Sequence, residues 1–507
     1  MPASPLPLGA IALDGSAEVP LYRQLYEALR EAILAGRLRP GGRLPSSRML
    51  AGELGVGRNT VLAAYEQLAA EGYLEGQVGA GTRVAAILPD SLLQLDRQAK
   101  PCSPQDRPGA NIRSLSKRGT SLSAIRRLTP FYERGRGRAF QHGLPAIEQF
   151  PALLWSRLLA RHSRDTRSNL FGYEVGIGLP ALREAIAAYA GAARGVTCSP
   201  EQVIVTVGAQ GALDLAARML LDPGDPVWVE DPGYLGARGA LSGAGASLVP
   251  VPVDEEGLDV AAGIGRHASP RLIYVTPSHQ FPLGATLSLQ RRLALLDHAA
   301  CCGAWIVEDD YDSEYRYQGR PIASLQGLDR GGAVIYMGTY MGTFAKTLFP
   351  ALKIGYLIVP EHLVDAFGTA IRISGHVPPA AMQAALADFI GEGHYGGHVR
   401  RMRALYAERR SVVLSALEDE LSPFLRAAPG EGGLQLSAFL PESADDRALA
   451  EAAMKAGLHV SPLSLYRLEE GRPGLYMGYA SVPEAELKHA AASLADVLRA
   501  AGAPRYP

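Results

Sequence analysis

Residues 335–360 read IYMGTYMGTFAKTLFPALKIGYLIVP, and the lysine near the middle decides how the rest of the chain is read. The tetrapeptide YMGT occurs twice in succession, at 336–339 and 340–343, immediately before Phe344, Ala345 and Lys346. The apolar run leading into it has the composition of a strand, so Lys346 stands just past a strand's carboxyl end. Upstream, QVIVTVG, DPVWVEDPG, RLIYVTPS and AWIVEDD are similar runs, separated by helix-like stretches such as AQGALDLAARMLL. Apolar strands alternating with helices predict an α/β domain over residues 138–507, with a largely parallel sheet covered on both faces. Ligands of such sheets bind beyond the carboxyl ends of the strands, so the residues there are the candidates for chemistry.

The run at 203–207 ends in Gly208, Ala209 and Gln210, which open a helix. Free amide N–H groups at a helix start, with the dipole behind them, suit a phosphate. The run at 228–230 leads to Tyr234, an aromatic ring, and the run at 305–307 leads to Glu308, Asp309, Asp310 and Tyr311, a set of carboxylates and a phenol. A phosphate cup, a ring, an acid and a lysine are the requirements of pyridoxal 5′-phosphate. The lysine forms the Schiff base, the acid keeps the pyridine nitrogen protonated, and the helix start holds the phosphate. Taken singly, each feature has a blander reading: a lone lysine is usually solvated, and an acidic run is usually a strand-end turn or a magnesium site. Three consecutive strand residues cannot all face one ion, and no metal site is expected.

Between residues 19 and 86 the apolar residues recur at helical spacing. Leu21, Leu25, Leu29, Ile33 and Leu34 mark a first helix, and Met49, Leu50 and Leu54 a second, capped by Ser46 or Ser47. Val61, Leu62, Tyr65 and Leu68 mark a third helix, which starts at Arg58 after the Gly55-Val56-Gly57 turn. This layout sets the third helix to enter a major groove, and GYLEGQVGAGTRV after it predicts a hairpin wing. Arg37, Arg39, Arg43, Arg48 and Arg58 face only one acid, Glu53, between them. Charge alone favours a solvated helical face; charge combined with the helix-turn-helix spacing favours DNA.

These residues resemble the winged helix-turn-helix of the GntR family of bacterial transcription factors. Its pattern LPSSRxLAxELGVSRNTVxxAYxxLxxEGYL stands nearly intact at residues 44–74. Gly57 replaces the family's usual serine cap, a loss of only a few tenths of a kcal/mol. The resemblance implies that Ser47, Arg48, Arg58, Asn59 and Thr60 contact double-stranded DNA. Residues 138–500 in turn resemble a fold-type I aminotransferase with a small α+β C-terminal subdomain. The phrases PSHQFPLG, VEDDYDSEYRY and GTFAKTLFPALKIGYL are similar to those of MocR-type regulators, which fuse the two parts. The resemblance implies Lys346 as the Schiff-base lysine, Asp309 as the acid at the pyridine nitrogen with Asp310 as fallback, Tyr311 at the ring oxygen and Tyr234 as the stacking ring. It further implies Thr343 beside the lysine and a homodimer with each reader domain leaning on the other subunit's large domain.

The chain departs from that pattern in several places. Ala345 stands where serine is usual, and Lys353 where an arginine clamps the phosphate. A point charge in place of a planar fork weakens such binding by about 1 to 3 kcal/mol. Arginines that hold a substrate carboxylate are not evident: Gly236 stands at one of their places and Tyr476 or Met477 at the other, with Arg238 and Arg472 nearby. GYEVGIG at 172–178 replaces the usual GYGDPAG. The interval from Asp309 to Lys346 is longer than the pattern by one YMGT unit. Extending a packed sheet by four residues, roughly 13 Å, is not tolerable, so one copy must leave the strand. The second copy is expected to occupy it, with the first displaced upstream.

The chain has 507 residues, 47% hydrophobic and 20% charged, with a net charge of −1, which excludes a globally basic coat for nucleic acid. Residues 1–18 form a tail, and 87–137, rich in Ser, Pro, Arg and Gly, a basic linker without sustained periodicity. No leader or membrane-length apolar run is evident, so the expected location is cytoplasmic, and Cys102, Cys198, Cys301 and Cys302 are expected as reduced thiols. The expected function is a pyridoxal-phosphate-dependent transcriptional regulator, sensing pyridoxal phosphate or an amino compound, with slow or absent transaminase turnover. The alternatives are an active aminotransferase carrying a DNA-binding domain, and a reader fused to a cofactor-free dimerisation scaffold.

Overall fold

The structure, a computed structural model, describes residues 11, 13–17, 19–77, 81–86, 88, 115–124, 137–164, 170, 172, 176–317, 323–338 and 346–507. They belong to two units, Met1–Ser114 and Leu115–Pro507.

In the first unit, α1 (Leu21–Leu34), α2 (Ser47–Leu54) and α3 (Arg58–Ala70) precede a hairpin of β1 (Leu74–Gln77) and β2 (Gly81–Val84). Leu25, Leu29, Ile33, Leu50, Val61, Tyr65 and Leu68 form its core, as helical spacing requires when one stripe of each helix is buried. Leu34 and Met49, expected inside, are exposed. The cap of α2 is Ser46, whose Oγ accepts from the Met49 amide. Gly55 then ends α2 in the left-handed region, at φ 65°, where a side chain would be strained. Gly57 starts α3 without a side-chain cap.

The second unit is built on an eight-stranded sheet. Its strands are β3 (Val203–Thr206), β4 (Pro226–Asp231), β5 (Ser247–Asp254), β6 (Gly257–Leu258), β7 (Leu272–Val275), β8 (Trp305–Asp310), β9 (Val334–Gly338) and β10 (Gly355–Ile358). They lie in the order β3-β10-β9-β8-β7-β4-β5-β6. From β9 to β5 the neighbours are parallel, while β10 runs against both β9 and β3. It follows that β3, β4, β8 and β9 all end at one edge, which brings the residues after them to the same side of the domain. Valine, isoleucine and leucine fill the strands because helices cover both faces. A four-stranded antiparallel sheet of β11 (Arg426–Ala427), β12 (Gln435–Phe439), β13 (Ser461–Pro462) and β14 (Gly474–Gly478) packs with the helices Asp446–Lys455 and Glu484–Ala500 into the small subdomain.

Two expectations differ from what is observed. Within the stretch read as a linker, Lys117–Ala124 is a helix, and Leu122 lies against Gly243 of the helix Leu235–Ala244. Two turns are too short to display a period, which hid it in the sequence. The first YMGT copy, expected to be displaced upstream, is in the strand: Glu308, Asp309 and Asp310 of β8 pair with Tyr336, Met337 and Gly338. The upstream end of β9 is pinned, since Asp329 accepts from the amides of Ala333 and Val334 and the Ile306 amide donates to the Ala333 carbonyl. No slack for an extra unit exists there. Residues 339–345, with Thr343 and Ala345, lie outside the described residues.

Candidate cofactor site and DNA-reading face

Alternation along β8 sends its three acids to three places. Glu308 accepts from the amides of Leu325 and Gln326 at 2.8 and 2.9 Å. Asp310, the fallback, is bound by Arg194 at 2.6 and 3.0 Å and by the Tyr336 phenol at 2.6 Å. Burial pushes the Asp310 carboxyl up, but Arg194 and Tyr336 outweigh it and hold it below its usual value. Asp309 alone points to the other face of the sheet, where Tyr274 donates to its Oδ2 at 2.6 Å. The second oxygen, Oδ1, is buried with no hydrogen-bond partner among the described residues. No group of three His, Cys, Asp or Glu among the described residues is arranged to hold a metal.

Lys346 lies past the end of β9, with Nζ 4.2 Å from the centre of the Tyr311 ring. Burial lowers its ammonium below the usual 10.5, against the pull of Asp312 and Asp309. The Asp309 carboxyl is pushed up to about 7 by burial, with Tyr274 and Lys346 acting in the other direction. The same dry environment thus disfavours the charged form of both groups. The Tyr311 phenol meets His279 Nδ1 at 3.1 Å, and that nitrogen meets Asp312 Oδ2 at 2.9 Å, a chain that fixes the phenol beside the lysine.

The helix Gly208–Leu220 begins at the end of β3 with no side-chain cap, and its first residues, Gly208 and Ala209, are buried. Gly355 of β10 packs so close that a Cβ there would sit 2.8 Å from the Gly208 carbonyl carbon. Gln210 turns its amide to the Gly236 carbonyl, at 2.9 Å. Lys353 is exposed and left-handed, at φ 52°, and makes no hydrogen bond or ion pair among the described residues. Tyr234 lies over Gly236 and edge-on to Phe281, with ring centres 5.5 Å apart.

Phe281 joins residues that the sequence did not single out. Its ring lies 6.0 Å from Tyr311 and 5.3 Å from both Tyr466 and Tyr476. His142 stands 4.8 Å from Tyr476 and bonds Ser461 at 3.0 Å. Burial, then Lys346 and His459, lower His142 to about 4, so it is neutral at physiological pH. His279 and Phe281 belong to the PSHQFPLG phrase; Tyr476 was noted only as standing where the family pattern has an arginine, and Tyr466 and His142, from distant segments, were not singled out. The two nearby arginines are engaged elsewhere. Arg238 is buried against Asp231 at 3.0 Å and the Tyr466 carbonyl, while Arg472 stacks on Phe439 at 4.3 Å and donates to Tyr506.

On the first unit, Arg48, Arg58 and Asn59 are exposed at the starts of α2 and α3, and Ser47 and Thr60 are half-buried beside them. Arg58 Nε reaches Ser47 Oγ at 3.4 Å, so the two helix starts present one polar face. Arg83 of the wing is exposed and donates to the Gly41 carbonyl.

The description "Bacterial regulatory proteins, gntR family" matches residues 21–84, and "Aminotransferase class I and II" matches residues 152–494. The chain is 46% identical, over 96% of its length and 95% of the relative's, to a probable rhizopine catabolism regulatory protein, MocR, of Rhizobium meliloti. It is 33% identical, over 96% of its length and 98% of the relative's, to the pyridoxine biosynthesis transcriptional regulator PdxR of Corynebacterium glutamicum. Among solved structures, the α-aminoadipate aminotransferase LysN of Thermus thermophilus, complexed with N-(5′-phosphopyridoxyl)-L-leucine, superposes with a TM-score of 0.66 at 28% identity, covering 71% of this chain and 92% of the other.

Proposed function

Because the chain belongs to the MocR-type transcriptional regulators, in which a GntR-family DNA-binding domain is joined to an aminotransferase class I and II domain, we propose that its large domain binds pyridoxal 5′-phosphate and uses it to control operator binding. The observation that carries this is the buried, partnerless Oδ1 of Asp309, on the same edge of the sheet as Lys346. A protonated pyridine nitrogen would satisfy that oxygen, and the charge-assisted bond would offset the burial of the carboxylate. Lys346 would hold the carbonyl carbon, Tyr311 the ring oxygen, Tyr234 the ring face, and Gly208, Ala209, Gln210, Thr343 and Lys353 the phosphate side. When bound, the group supplies an electrophilic carbon and an electron sink for an incoming amine. The protein's own part is to orient and to exclude water.

The engaged state of Arg238 and Arg472 favours regulation over turnover, because a substrate carboxylate finds no free guanidinium on either. Pyridoxal phosphate itself, rather than an amino acid, is then the better signal. In this reading the reader domain contacts its operator through Ser47, Arg48, Arg58, Asn59 and Thr60, and a homodimer brings two readers to paired half-sites. Ligand and DNA are linked: a ligand shifts operator affinity only by its differential binding to the two arrangements of the protein. Measuring operator affinity of the full chain with and without pyridoxal phosphate tests this. Equal affinities, or steady transamination at roughly 1 per second or faster, would count against it.

A further inference from the structure

On the opposite face of β8 from Asp309, a cavity of about 120 Å³ opens between the end of the helix Pro180–Arg194, residues 313–316 and the helix His394–Asp419. It is lined by Tyr189, Arg194, Ser313, Glu314, Arg316 and Arg403, none of them assigned to the cofactor. Its volume exceeds what a single water occupies. Its charges do not cancel. Arg194 is neutralised by Asp310 at 2.6 Å, and Arg316 by Glu431 at 2.6 Å. Arg403, an exposed residue, has no carboxylate partner among the described residues: its Nε donates to the Glu314 carbonyl at 2.8 Å.

Two further groups on the cavity wall are unsatisfied. Glu314 is only 7% exposed, and its Oε2 is buried with no hydrogen-bond partner among the described residues. The Nε of Arg316 is likewise buried and without one. Burial, and then Asp310, push the Glu314 carboxyl up to about 8, so that at neutral pH it carries a proton and acts as a donor. One uncompensated guanidinium, one buried N–H and one carboxyl O–H around a small polar cavity form a donor set for a singly charged oxyanion.

We propose that this cavity is a second ligand site, which binds a small oxyanion, a carboxylate or a phosphate, through Arg403, Arg316 and Glu314. The bound anion would sit next to Arg194, whose bond to Asp310 anchors Tyr336 and the strand leading to Lys346. The groups facing Glu314 among the described residues are Asp310, Arg194, Asp312, Arg403, Tyr189, Tyr315 and Tyr356. Glu314 is held up to about 8, so affinity should fall as pH passes about 8.

Acetate and inorganic phosphate, titrated calorimetrically into the full chain saturated with pyridoxal phosphate, distinguish a carboxylate from a phosphate ligand. Saturable binding of either is expected. Arg403→Gln should weaken it about tenfold or more, as loss of a charge-assisted bond does. Arg403→Lys should fall between, and Lys353→Ala should leave it unchanged. Glu314→Gln, which keeps an uncharged donor, should retain binding and lose the decline above pH 8. Arg403 is exposed, so its replacements bury nothing. The proposal is overturned if neither probe binds, if Arg403→Gln binds as the parent does, or if Lys353→Ala abolishes binding, which would move the anion to the cofactor's phosphate side.

Discussion

The phenol of Tyr336 donates to Asp310 Oδ2 at 2.6 Å inside the sheet, and by this bond the first copy of the repeated tetrapeptide is locked beside the acidic strand. Gly338, two residues on, leaves room for the Tyr356 ring, which a Cβ would meet at 2.0 Å. Both requirements recur in YMGT, so either copy could meet them, and the pinned start of β9 selects the first.

Deleting one repeat should therefore be tolerated. Removal of either copy yields the same chain, which keeps the Tyr336 to Asp310 bond and shortens only the segment before Lys346. We expect it to fold and to bind pyridoxal phosphate at least as tightly as the parent, read by titration of visible absorbance. Tyr336→Phe should instead lose about 1 to 3 kcal/mol of stability, because a buried hydrogen bond to a charged group is broken. Denaturant unfolding with no shift in midpoint would contradict the role given to this tyrosine.

The two lysines should behave differently. Lys346→Ala should abolish the absorbance of lysine-bound pyridoxal phosphate, since no other amine occupies its position. Lys353→Ala should leave the spectrum intact and weaken affinity about tenfold, an electrostatic loss that added salt also reproduces. If bleaching followed the Lys353 change instead, the two assignments would be exchanged.

Stability of the cofactor-free chain should decline between pH 6.5 and 8. Asp309, Glu230 and Glu308 are pushed up to about 7 and Glu314 to about 8, each first by burial, from usual values of 3.8 and 4.5. In this window the folded chain still holds protons that the unfolded chain has released, so folding weakens as pH rises. His142, lowered to about 4, acts in the opposite sense but only below its usual 6.5. Asp309→Asn should flatten part of the decline, measured by thermal unfolding at pH 6.5 and 8. A parallel slope in parent and variant would show that Asp309 does not titrate there.

Arg58→Ala or Asn59→Ala should weaken operator binding by about 1 to 3 kcal/mol if they read bases, while leaving the cofactor spectrum unchanged. Arg48→Ala should weaken binding to all sequences alike and reduce the salt dependence, the signature of a phosphate contact. Operator affinity unchanged in all three variants would remove the reading face from α2 and α3.

Much of this protein was legible in its sequence. Helical spacing marked all three reader helices, because one buried stripe per helix imposes that period; it erred for Leu34 and Met49, which are exposed, and for Leu62, which is only half-buried and outside the core. Apolar runs ending in Gly208, Tyr234, Asp309 and Lys346 marked a parallel sheet and the edge at which these residues gather, because a sheet covered on both faces is built from apolar strands. What the tertiary structure decided was which of several equivalent choices is used. Strand alternation and the placement of Arg194 and Tyr274 divided Asp309 from Asp310, and an upstream anchor chose between two identical repeats. Pairings across the chain, such as His142 with Tyr476 or Arg194 with Asp310, have no local signature. They depend on which segments the fold brings together, and a sequence pattern carries the period of an element but not its neighbours.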